Sequence, residues 1–242
     1  MAETTAGAAP GGEWRPTLDI DGPSEQSRVT VLFRAILLIP QVIVVVVLGI
    51  VADIVVIIGW FAALALGRLP DWAAGFLTGY LAWSVRVGAY GYLLVEQYPP
   101  FAWTPDAYPV RVEVRPGSLN RLAVLFRIIL IIPAAIVSNV VATGWVVAGF
   151  VIWLIVLIQG RMPPGLFEAT AAVERYMMRV QAYGMLLTSA YPKDLFGDGE
   201  GGPRVSATRP LTLSGTARNL MVLFIVLGVL GIVLQAIARA SG

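Results

Sequence analysis

The sequence predicts an all-α integral membrane protein. It reads as two tandem parallel repeats, each a transmembrane helix plus a second transmembrane or interfacial amphipathic helix. A C-terminal transmembrane helix and short cytoplasmic β-like segments complete it. Three observations carry this. First, 57% of the 242 residues are hydrophobic and 13% charged, with mean hydropathy +0.78; a water-soluble domain carries about 25% charged residues. So few charges cannot cover a surface facing water. Second, apolar runs over 35–66 and 128–158 exceed the roughly 20 residues needed to cross a bilayer, and 221–238 comes close to it. Third, the chain repeats itself at a spacing of 93 residues (28 to 121) without a gap.

The register of the repeat is dense. Arg28-x-x-Val31-Leu32-Phe33-Arg34 falls on Arg121-x-x-Val124-Leu125-Phe126-Arg127, Pro40 on Pro133 and Trp60 on Trp153. Gly67-Arg68-x-Pro70 falls on Gly160-Arg161-x-Pro163. Arg86-Val87-x-Ala89-Tyr90-Gly91-x-Leu93-Leu94 falls on Arg179-Val180-x-Ala182-Tyr183-Gly184-x-Leu186-Leu187, and Tyr98-Pro99 on Tyr191-Pro192. One structural unit is used twice. The division that follows is a tail at 1–14, repeat 1 at 15–101, repeat 2 at 108–192, a linker at 193–208 and a partial third copy at 209–242.

Each element has its own signal. Three stretches, 15–20, 110–114 and 209–213, alternate apolar and polar residues, the period of a strand with one buried face. Extended linkers are the alternative. Each long apolar run holds an early proline, which places a short amphipathic segment before Pro40 and the span proper from there to Leu66. Gly then Pro at 67–70 and 160–163 ends one helix and blocks its continuation. Residues 72–95 form a second helix long enough to return across the bilayer. Residues 166–191 carry Glu168, Glu174, Arg175 and Arg179, and either cross with that face covered or lie in the interface. Gly75-x-x-x-Gly79 would admit a close helix neighbour.

Basic residues concentrate in the flanks that precede the three repeat starts, and the positive-inside rule makes those flanks cytoplasmic. Two crossings per repeat plus the last helix give five, with the N-terminus inside and the chain in a bacterial inner membrane.

Composition also removes chemistry. There is no Cys and no His, so thiolate nucleophiles, disulfides and the commonest general base and metal ligand are gone. No nucleophile-elbow or phosphate-loop motif is present. A net charge of +2 leaves no electrostatic footprint for nucleic acid. The expectation is no catalytic residue, no cofactor and no metal. The candidates that remain are polar residues in apolar surroundings. Arg86 and Arg179, with Arg68 and Arg161 in the turns, are candidate lipid or anion contacts. Asp53, Glu174 and Arg175 are candidate intramembrane polar residues. Glu174 could neutralise Arg86 or Arg179, and Asp53 could bond Ser138, Asn139 or Thr143.

The combined pattern resembles the bacterial integral-membrane family described as domain of unknown function 4389. The matching residues are Val31-Leu32-Phe33-Arg34 with Ile39-Pro40, the Gly67–Pro70 turn, Trp83 with Arg86-Val87-x-Ala89-Tyr90, and Tyr98-Pro99-Pro100-Phe101. Repeat 2 matches through Gly160-Arg161-Met162-Pro163, Arg179-Val180-x-Ala182-Tyr183 and Tyr191-Pro192. The resemblance implies membrane location and architecture and brings no activity with it. The functional expectation is a non-enzymatic accessory or scaffold protein that contacts membrane lipid, a membrane partner or a second copy. The alternative is a small permease or channel using Asp53 and Arg86/Arg179.

Overall fold

Gly67 and Gly160 end the two long helices with φ of 71° and 67°, a left-handed conformation that a side chain would strain. The computed structural model describes residues 14–105, 107–198 and 205–240. The expected tail therefore lies, but for Trp14, outside the described residues. Two strands, β1 (Thr17–Ile20) and β2 (Val110–Glu113), form where the alternation predicts them. The third alternating stretch makes only the isolated bridges Gly197↔Thr212 and Ser206↔Arg209. The helices are α1 (Arg28–Leu66), α2 (Asp71–Gly91), α3 (Arg121–Leu125), α4 (Arg127–Gln159), α5 (Pro164–Gly184) and α6 (Gly215–Ala240).

Pro40 does not begin a helix. Helix α1 runs unbroken through it for 39 residues. The equivalent stretch of repeat 2 divides at Phe126 into α3 and α4, and Pro133 sits inside α4. Among the described residues only α1, α4 and α6 are long and apolar enough to cross a membrane. Helices α2 and α5 are not, which reduces the five expected crossings to three candidates. Both are buried on most sides, so small residues replace a lipid-facing surface.

The two copies are antiparallel, not parallel. Gln26 donates its backbone N–H to Gly160 O at 2.7 Å, and its equivalent Leu119 donates to Gly67 O at 2.7 Å. The Arg28 guanidinium reaches Ile158 O, and Arg121 reaches Ala65 O. Trp153 Nε1 donates to Val31 O and Trp60 Nε1 to Val124 O, each at 2.8 Å. Every contact recurs with the repeats exchanged, the mark of a two-fold relation. The start of α1 meets the end of α4 and the reverse, so the pseudo-axis runs perpendicular to the helices. Strands β1 and β2 obey the same axis, pairing antiparallel with Thr17 opposite Glu113 and Ile20 opposite Val110. The small sheet therefore sits on the axis, halfway between the two ends of α1 and α4.

The layers follow. Helix α1 buries one narrow stripe (Val31, Arg34, Gln41, Ala52, Val55, Gly59 and Ala63) against α2. Its remaining surface is exposed and almost wholly apolar, from Val29 to Leu66. Helix α4 packs on α5 and, antiparallel, on α6. On the far side of α2 lie β2, Gln97, Trp103–Pro105 and Ala107–Pro109. On the far side of α5 lie Pro16 and the segment Lys193–Asp198. The order is an apolar helical layer, a middle layer of α2 and α5, and a polar layer of strands and loops. Gly75 and Gly79 do not seat a helix. A Cβ at Gly75 would meet nothing, while Gly79 lies under the Trp103 indole.

Candidate functional site

Four buried arginines mark the equivalent points of the two repeats. Arg34 and Arg127 come from the starts of α1 and α4 and are 3% and 4% exposed. Arg34 donates to Tyr90 O at 3.1 Å and Val95 O at 2.8 Å, pairs with Glu96 at 3.0 Å and lies 4.1 Å over the Tyr90 ring. Arg127 donates to Thr188 O at 2.8 Å and lies 3.7 Å over Tyr183. Each guanidinium closes the end of the following helix, where Leu93 and Leu186 hold φ of 61° and 62°. A left-handed leucine costs about 1–2 kcal/mol, and the charged donors with their cation–π contacts offset it. This explains the repeated Arg-Val-x-Ala-Tyr-Gly-x-Leu-Leu pattern as a clasp.

Arg86 and Arg179 occupy equivalent positions on α2 and α5, yet they have different partners. Arg179 donates to Pro16 O at 3.2 Å and pairs with Asp198 at 3.1 Å. Arg175, 1% exposed, pairs with the other oxygen of Asp198 at 2.5 Å and donates to Asp194 O. One carboxylate thus bridges two guanidinium groups and also accepts the Leu211 N–H at 3.0 Å. Burial alone would raise the Asp198 carboxyl. Arg175, then Arg179, and the Leu211 N–H outweigh it and hold the group below the usual carboxylate range. Arg86 donates both terminal nitrogens to backbone carbonyls, Ala102 O at 2.8 Å and Trp103 O at 3.4–3.5 Å. Among the described residues no carboxylate pairs with it, and its Nε–H has no partner.

The other candidates do not gather around these arginines. Glu174 neutralises neither Arg86 nor Arg179: its carboxyl lies beside Gly88, which leaves the room it occupies, and near Tyr92. Asp53 is exposed on α1 and makes no hydrogen bond to Ser138, Asn139 or Thr143. Arg68 and Arg161 are exposed turn residues; Arg68 pairs with Asp71 at 2.9 Å, both open to solvent, and such a pair contributes little. The residue missed in the sequence is Asp198. It lies beyond the last repeated motif, so the spacing that exposes Arg179 says nothing of its partner.

Glu174 gives a pH prediction. Burial pushes its carboxyl up to about 8. An unfolded glutamate titrates near 4.3, so the folded chain holds the extra proton between about 4.3 and 8. Stability therefore falls as pH rises through that window, by at most about 1.4 kcal/mol per unit. Thermal unfolding in detergent is expected at a lower temperature at pH 7.5 than at pH 5.5. Glu174→Gln should flatten that difference; an unchanged slope in the variant would refute the assignment.

No curated protein and no solved structure matches this chain. The model of the family described as domain of unknown function DUF4389 matches it twice, at residues 28–102 and 121–195. These two segments enclose the four arginines and both clasps and leave out β1, β2 and Asp198, and the chain belongs to that family as two tandem copies of its domain.

Proposed function

We propose that this chain is a non-enzymatic membrane protein that lies along one leaflet. Helices α1, α4 and α6 face lipid, the polar layer stands in water, and the chain acts as an accessory or scaffold there. One observation carries the orientation: the charged sheet sits halfway along α1 and α4. If those helices crossed the bilayer, Asp21, Arg111 and Arg115, all exposed, would stand near its midplane. Each such charge costs roughly 2.5–3.5 kcal/mol. The irregular backbone from Gln97 to Pro105 would share that depth, which lipid does not tolerate. Length agrees. Helix α1 is about 58 Å long at 1.5 Å per residue, nearly twice the roughly 30 Å hydrocarbon core.

Lying flat, the exposed apolar faces enter the acyl region while Arg28 and Arg121 stay at the edge, as for an interfacial helix. The basic residues of the polar layer support a cytoplasmic side for it. A transport role has less support. Asp53 is on the exposed part of α1, whereas Arg86 and Arg179 lie under the polar layer, held by protein carbonyls.

Fractionation tests the membrane reading. The chain should stay with membranes through high salt and alkaline carbonate and leave only with detergent. Recovery in the soluble fraction would refute it. In proteoliposomes, ion flux should equal that of empty vesicles, and flux abolished by Asp53→Asn would favour the permease instead.

A further inference from the structure

Repeat 2 fills a space that repeat 1 leaves open. Shifted by 93 residues, Arg175 becomes Ala82 and Asp198 becomes Pro105. In repeat 2 those two side chains occupy the outer face of α5 beside Arg179. In repeat 1 the corresponding face of α2 borders an open cavity of about 1020 Å³, lined by Thr78, Ala82, Arg86, Trp103, Pro105 and Tyr108 among others. Two buried polar atoms of its lining have no partner, Arg86 Nε and Thr78 Oγ1. Arg86 is 4% exposed and has no carboxylate among the described residues. A buried guanidinium without a counter-charge is costly, and an oxyanion that also accepts Nε–H relieves it. In repeat 2 the equivalent guanidinium has both kinds of partner: a terminal nitrogen of Arg179 donates to the Asp198 carboxylate and its Nε–H to Pro16 O.

We propose that this cavity binds an anionic amphiphile. Its single oxyanion, a carboxylate or phosphate, sits on Arg86 Nε–H and the Thr78 hydroxyl. Its apolar part lies over Trp103, Val110 and Val112, which also line the space. The carboxylates of Asp71 and Asp21 stand at the lining as well, the latter paired to Arg111. They disfavour a multiply charged ligand. The volume suits a molecule the size of a lipid or long-chain acid rather than a bare ion. The site does not depend on whether α1 lies along or across the bilayer.

Native mass spectrometry of the full chain released from maltoside micelles tests this, with dodecanoate, dodecyl phosphate, dodecanol and inorganic phosphate as probes. One dodecanoate or dodecyl phosphate per chain should be retained, and the two together tell a carboxylate from a phosphate preference. Dodecanol and inorganic phosphate should not be retained. Arg86→Gln should weaken retention at least tenfold. Because Arg86 also holds the Ala102 and Trp103 carbonyls, Ala82→Phe serves as the second variant: it fills the cavity and leaves Arg86 in place. It should abolish retention with an unchanged unfolding temperature. Retention of dodecanol equal to dodecanoate, retention of inorganic phosphate alone, or amphiphile retention unchanged in Ala82→Phe would each overturn the site.

Discussion

Single cysteines at Ser27 and Arg68, at the two ends of α1, should react with a membrane-impermeant maleimide from the same side of sealed vesicles. Both residues are exposed, and the natural chain has no cysteine, so each reporter stands alone. A crossing helix of 39 residues would put them on opposite sides, and the readout is all or none. Asp21→Cys and Arg115→Cys, beside the sheet on the pseudo-axis, should label from that same side. Val47→Cys and Phe150→Cys, on the exposed apolar faces of α1 and α4, should resist the reagent until detergent is added. The physical basis is symmetry. An axis perpendicular to α1 and α4 can lie in the membrane plane or along its normal. In the plane, the paired strands and their ion pairs meet hydrocarbon. Along the normal, all polar segments reach one aqueous side together. Labelling of Ser27→Cys and Arg68→Cys from opposite sides would refute the flat orientation, and would require another molecule to cover the polar layer within the bilayer.

Much of the molecule is legible in its sequence, and the illegible parts have physical reasons. The 93-residue register, the Gly67 and Gly160 helix ends and two of the three strands are local signals, set by periodicity and by a backbone conformation that favours glycine. The mutual orientation of the copies is not local. The same register suits a translation and a two-fold rotation alike, and only contacts such as Trp60 with Val124 and Trp153 with Val31 distinguish them. Arg28 and Arg121, equivalent in sequence, accordingly stand at opposite ends of the helical layer. At the candidate site, Arg86 and Arg179 stood out as charges in apolar helices. Their divergence did not, because Asp198 lies past the repeat and Ala82 is an unremarkable residue in an apolar helix. Glu174 is legible as a charged residue beside Arg175, but its neighbours Gly88 and Tyr92 come from the other repeat and are set by the fold alone.

Replacing Gly144 or Gly228 with Ala should separate α6 from α4. A Cβ at Gly144 would overlap the carbonyl oxygen of Phe224, and one at Gly228 that of Val140. Both obstacles are backbone, so no rotamer change makes room, and one helix must move. Overpacking of this kind costs typically about 1–3 kcal/mol and at times more. The loss falls on a contact that small residues make possible, since helices associate in lipid through close packing. Each variant should lower the unfolding temperature and open the contact around Met221 and Phe224, both buried residues of α6. A cysteine at Met221 would report this as faster labelling. Two other glycines supply the controls. Gly75→Ala meets nothing within 4 Å, and Gly231→Ala meets only the Thr143 and Val147 methyls, at 3.2 and 3.3 Å. Methyls can yield where a carbonyl cannot, so Gly231→Ala should be mild. Gly75→Ala should be neutral or stabilise by about 0.5–1 kcal/mol, as a helix-interior alanine does. Equal behaviour of all four variants would refute the close α4–α6 approach. Loss confined to Gly144→Ala and Gly228→Ala would fix α6 as a packed member of the apolar layer rather than a separate tail.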